Sequence, residues 1–152
     1  MTYDNRNDAR NPDLGRARRV DTRDGDGIAK TWMIVVGVAL LGAGLLGFID
    51  NPIVSDREDA LFHTGFVHNI VHILTGAVAL AIGGLMHGRD LGRAAIAFGV
   101  AYGLVLVATL ISPDLFGIFE EPVNAADHGL HLVLAAGSIA AGLAAMRDRA
   151  IA

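Results

Sequence analysis

The chain has 152 residues, of which 53% are hydrophobic and 18% charged, with a mean hydropathy of +0.47. A soluble domain carries about a quarter charged residues, and here the charges sit in a tail and in loops, which argues against a water-soluble globule. The absence of cysteine excludes a disulfide framework and any thiolate metal site, and the net charge of −4 conceals a strong asymmetry between loops.

In chain order, residues 1–31 are rich in Asn, Asp, Arg and Gly and nearly free of large apolar side chains. Such a segment cannot bury enough surface to offset its ordering entropy, so it is expected to be a disordered cytoplasmic tail. The Arg16-Ala17-Arg18-Arg19 cluster suits anionic lipid headgroups. The run Asp24-Gly25-Asp26-Gly27 lacks the third ligand and closing glutamate of a calcium loop.

Four uncharged windows follow, each long enough for the roughly 17–25 apolar residues that a crossing requires. They predict spans at about 32–50, 67–87, 94–112 and 128–146, with 147–152 left as a short cytoplasmic tail. Buried helices of a soluble bundle need a polar face, and these windows show none. The first window starts too late and runs too long for a cleaved signal peptide, so it is expected to remain as an anchor. Pro52 ends the first span and Pro113 the third, dividing the membrane region 32–146 into two helical hairpins.

Of the 12 Lys and Arg residues, only Arg57 falls on the side of the first and third loops. Those loops instead carry Asp50, Asp56, Glu58, Asp59, Asp114, Glu120, Glu121 and Asp127. The positive-inside rule then puts both termini in the cytoplasm. The expected fold class is therefore all-α: an integral membrane four-helix bundle made of two hairpins, N-in and C-in.

Aligning His72 with His131 also aligns Gly83 with Gly142 and nearly aligns Pro52 with Pro113, the pattern of a duplicated hairpin in parallel orientation. Small residues are dense throughout, as close helix approach in lipid requires. Gly99-x-x-x-Gly103 reads either as a dimer seam or, preferably, as packing within the bundle.

Five of the six histidines (His63, His68, His72, His128 and His131) map to the same ends of the second and fourth spans or just before them. His68 and His72 share one helical face, and so do His128 and His131. Three readings compete. In the first, Asn69, His72, Asn124, Asp127 and His131 form a structural polar cluster that satisfies free backbone groups at helix starts. In the second, His72 and His131 on facing helices ligate haem b, or His68, His72, Asp127, His128 and His131 supply a divalent metal. The third is an external pH sensor built on imidazole titration. Single hydroxyls such as Thr75, Tyr102, Thr109 and Ser138 are expected to bond back to their own helices. No span carries a central charge, which weighs against coupled ion transport. The sequence shows no triad, no phosphate-cradling loop and no nucleic-acid module, so no catalytic residues are assigned and an enzyme is not expected.

The stretch from Phe62 to Gly76, with its Asn69, His72 and Gly76 pattern, and the segment from Asn124 to Leu132, with Asn124, Asp127 and His131, resemble a family of small bacterial membrane proteins catalogued as domain of unknown function 4383. The resemblance covers roughly Trp32 to Met146 and implies a four-span bundle, with no activity attached. The reading is thus a multi-pass protein of the bacterial inner membrane acting as a structural or accessory component. Its expected partners are the lipid bilayer and a larger membrane complex or a second copy, with no nucleic acid and no cofactor. Haem b or a divalent metal is the alternative.

Overall fold

The computed structural model describes the backbone of residues 12–150 and the side chains of residues 25–147. Helix α1 (Pro12–Leu46) leads into a two-residue parallel bridge between β1 (Val54–Ser55) and β2 (Phe62–His63). Helices α2 (Phe66–Leu85), α3 (Gly88–Ile111) and α4 (Ala125–Ala150) complete the chain. Four segments are long and apolar enough to cross a membrane: Gly25–Leu46, Phe66–Leu85, Gly88–Ile111 and Ala125–Arg147. The chain is an all-α, four-helix membrane protein.

The first helix differs from expectation at both ends. Residues 1–11 lie outside the described part, but α1 already runs from Pro12, through much of the stretch expected to be disordered. Once the apolar span has nucleated a helix, each residue added backward costs little, and proline at the first helical position lacks no intrahelical bond. Asp26, placed above in the tail, accepts the Gly88 N–H at 3.0 Å and so satisfies one of the free donors at the start of α3. At the other end α1 stops at Leu46, before the Asp50-Asn51-Pro52 turn. The Asn51 carboxamide organises that turn: Nδ2 donates to the Leu46 carbonyl at 3.1 Å, and Oδ1 accepts from Ile53 and Val54 at 2.9 Å each. The β1–β2 bridge, which periodicity does not reveal, is fixed by Phe62 N–H to Ile53 at 2.8 Å and Thr64 N–H to Ser55 at 3.0 Å.

Helices α1 and α2 pack as one hairpin and α3 and α4 as the other. The hairpins meet closely along α1–α4 and loosely along α2–α3. Their internal packing repeats at corresponding glycines. A Cβ on Gly83 would meet the Lys30 carbonyl at 3.0 Å and Ile34 Cγ1 at 2.9 Å; on Gly142 it would meet the Gly92 carbonyl at 2.6 Å and Ile96 Cγ1 at 2.7 Å. Gly37 lies against Gly76 and Leu80 as Gly99 lies against Ala135 and Ile139. This is the structural counterpart of the duplication read in the sequence, with Ile34 matching Ile96 and His72 matching His131. It also places Gly99 in the α3–α4 seam inside the chain.

The buried core is built of small and aliphatic residues such as Ala29, Met33, Ala79, Leu91, Ala95 and Ala145, while large apolar side chains including Leu85, Leu104, Leu110 and Ile111 point outward. Such inversion is what lipid permits: no hydrophobic drive holds the helices together, so they associate through close backbone contact. Trp32 is a special case, its ring lying directly over Gly137 while its Nε1 donates to Ser138 Oγ at 2.9 Å.

A candidate three-histidine metal centre

Both inter-helix loops, α1–α2 and α3–α4, sit at one end of the bundle, and the histidines gather just inside it. His72 and His131 lie equally far from their helix starts at Phe66 and Ala125, about 9 Å at 1.5 Å per residue. Helices α2 and α4 are not adjacent, so the two imidazoles meet across the middle of the bundle. His68, one turn above His72, completes the group. One ring nitrogen from each of His68, His72 and His131 lies within 4.8 Å of the others. All three residues are buried, at 1%, 2% and 2% exposure. Both ring nitrogens of His68 and of His72, and Nδ1 of His131, are buried without a hydrogen-bond partner. A buried polar atom left unpaired costs about 1–3 kcal/mol, so five together make this the most polar unmet demand in the described core.

Aromatic residues enclose the group. Phe119 stacks on His68 with centroids 4.5 Å apart and an interplanar angle of 8°, and Tyr102 lies 5.8 Å from His131. Phe119 is only 5% exposed although it comes from the α3–α4 loop. That loop turns through Leu115, Phe116 and Gly117, all at positive φ (50°, 59° and 82°), a conformation unusual for the first two residues. Its start is held by Ser112, whose hydroxyl bonds Asp114 and keeps that carboxyl below the usual carboxylate range.

Two cavities flank the imidazoles. One of about 80 Å³ lies in the loose α2–α3 seam and touches all three histidines together with Thr75, Tyr102 and Phe119. The other, about 170 Å³, lies in the α1–α4 seam and touches His72 among Leu40, Leu130 and Leu134.

Several of the remaining polar residues serve helix starts and loops, although Thr64 Oγ1, Asn69 Oδ1, Asp127 Oδ1 and His128 Nε2 are also buried without a protein partner. Asn124 and Asp127 form a reciprocal cap at the start of α4. Asn124 Oδ1 accepts from the Ala126 and Asp127 N–H groups at 2.9 and 3.1 Å, and Asp127 Oδ2 accepts from the Asn124 N–H at 3.0 Å. Asp127 also takes the His63 N–H at 3.3 Å, and Asn124 Nδ2 donates to the Leu61 carbonyl at 2.9 Å, tying β2 to α4. Asp127 and His128, both considered above as metal ligands, are not among the three residues that converge. Asn69 packs its carboxamide against Gly47 instead of reaching the imidazoles. His63 bridges loops through the Pro122 and Asp56 carbonyls at 3.3 and 3.2 Å. Thr75 and Thr109 bond back to their own helices, as expected, and Thr75 in addition pairs with the Tyr102 hydroxyl at 2.8 Å.

In the duplication, His68 stands where the second half has Asp127. The first half therefore lacks the reciprocal cap: its N-cap residue Gly65 offers no side chain, and Glu120 reaches over to accept the Val67 N–H at 3.1 Å. Replacing Asn124 by alanine removes the α4 cap and is expected to cost about 1 kcal/mol of stability. Denaturant unfolding in detergent would register it, and the histidine group should stay intact.

No curated protein and no solved structure matches this chain. A family profile described as a domain of unknown function (DUF4383) matches residues 30–144, which reaches into all four helices and takes in all three clustered histidines. The chain belongs to that family of domains of unknown function.

Proposed function

We propose that this protein is a metal-binding component of a bacterial cytoplasmic membrane, holding one first-row transition-metal ion in a buried His68–His72–His131 site near the outer surface. The observation that carries this reading is the convergence of three buried imidazoles whose ring nitrogens lack protein partners. Two nitrogens bound to one tetrahedral ion at 2.0–2.1 Å lie about 3.3 Å apart, so small rotations of rings already within 4.8 Å would close the site. An all-nitrogen donor set without thiolate or carboxylate suits zinc, copper, nickel or cobalt rather than magnesium or calcium. Three protein ligands leave one position open. The three histidines line a cavity of about 80 Å³ that has room for water, whose share of liquid volume is about 30 Å³.

The orientation within this proposal rests on the basic residues gathered at the termini and the α2–α3 loop, with Arg57 alone at the opposite end. Arg57 is engaged there by Asp59 and Asp50 at 2.8 and 3.3 Å, and it holds the Asp59 carboxyl below its ordinary range. Haem is the weaker occupant, because the cavities beside the histidines, about 80 and 170 Å³, are well under the roughly 300–1,000 Å³ of pockets that take organic ligands. A purely structural role for the imidazoles would require hydrogen-bonded rings, and five ring nitrogens have no such bond.

The test is elemental analysis of protein purified in mild detergent from zinc- and copper-supplemented cells, with oxidised and dithionite-reduced spectra of the same sample. One ion per chain, absent from His72→Ala, is expected, with no Soret band. Equal trace metal in the wild type and the variant would end the proposal.

A further inference from the structure

The two halves of the duplication have diverged around the histidines, and the divergence marks a side. The packing match that pairs Gly37 with Gly99 and His72 with His131 also pairs Leu40 with Tyr102 and Leu134 with Thr75. Each pair occupies the corresponding wall of one of the two cavities. In the α1–α4 seam the wall is Leu40 and Leu134, and His72 is the sole polar residue at that cavity. In the α2–α3 seam the same positions carry Tyr102 and Thr75, joined by a hydroxyl–hydroxyl bond of 2.8 Å. Tyr102 is only 6% exposed, so its phenol is a buried hydroxyl in a lipid-embedded bundle, where polar groups are retained at a cost.

Resting on the three-histidine reading, we infer that the open coordination position faces the α2–α3 cavity. There it takes a small exogenous ligand, a water, hydroxide or two- to three-atom anion, held by the Tyr102–Thr75 hydroxyl pair. The cavity of about 80 Å³ is the only one of the two that touches all three histidines, and it has room for about two to three waters. Thr75 gives its single proton to the Val71 carbonyl at 2.7 Å, so the phenol of Tyr102 donates to Thr75 Oγ1 and can turn that proton to an anion on the ion. When the bound group is water, the phenol oxygen can accept from it instead. Phe119, stacked on His68, closes the cavity toward the loop end, so the ligand sits in a site shielded from bulk water, where a hydrogen bond is worth more than at a surface. The apolar cavity offers no donor and acts as the built-in comparison.

The experiment uses the full chain in detergent, loaded with cobalt(II) and titrated with azide while the visible d–d bands are followed. Azide is expected to shift the bands of the wild type. Tyr102→Phe should weaken azide about two- to tenfold, the range of one hydrogen bond, without loss of bound cobalt. Leu134→Val, on the opposite cavity, should leave azide affinity unchanged. Cobalt bound with no response to azide would overturn the open position while leaving the three-histidine site standing. Weakening by Leu134→Val but not by Tyr102→Phe would put the ligand in the wrong seam. Failure to bind cobalt at all would remove both this inference and the reading it rests on.

Discussion

Truncating His131 to alanine is expected to abolish tight metal binding while the fold survives. The side chain is the sole contribution of α4 to the three-histidine group, and the two remaining imidazoles are both on α2. Removing an outer hydrogen-bond partner of a ligand already costs roughly 10–100-fold in affinity, and loss of a ligand itself should exceed that. Binding also reports on stability, since an ion at 100 times its Kd raises the unfolding free energy by about 2.7 kcal/mol. Saturating zinc should therefore raise the thermal midpoint of the wild type and leave His131→Ala unmoved. Because imidazole ligates only when neutral, zinc uptake is also expected to weaken as the pH is lowered. A zinc-dependent stabilisation that persists in the variant would place the ion elsewhere.

The second large effect concerns the seams that hold the histidines in register. Gly142→Leu puts a side chain where a Cβ alone would stand 2.6 Å from the Gly92 carbonyl. A backbone atom cannot swing aside as a flexible side chain can, so α3 and α4 must separate. Overpacking a tight interior costs about 1–3 kcal/mol, and a leucine at this position belongs at or above the upper end. Gly84→Leu provides the control, since a Cβ there meets nothing within 4 Å and the side chain would enter lipid. Unfolding in mixed micelles should separate the two variants clearly. Equal stability would show that the α3–α4 contact does not hold the bundle together.

The spans were legible in the sequence because a bilayer imposes long, uncharged windows, and their boundaries shifted only by local capping. Asn51 organises the turn that ends α1 early, and Asp26 reaches α3 from a segment that composition assigned to a tail. His72 and His131 were legible as a pair because the duplicated hairpin sets them at equal depth. Which further histidine joins them was not, because it depends on cap chemistry. His68 turns into the core in the half where Glu120 supplies the cap, while its counterpart Asp127 is spent on capping α4. Phe119 left no periodic signal, since it is delivered by a loop whose path runs through consecutive positive-φ residues. Tyr102 was visible only as a lone hydroxyl. Its meaning comes from standing where the other half has Leu40.

X-ray absorption at the zinc edge of the loaded, detergent-purified protein reads out whether His68, His72 and His131 ligate one ion. Three imidazole nitrogens at about 2.0–2.1 Å are expected, recognisable by the multiple scattering of the rings, with one further oxygen-type scatterer. A shell dominated by carboxylate oxygens, or a protein that takes up no zinc, would contradict that ligation.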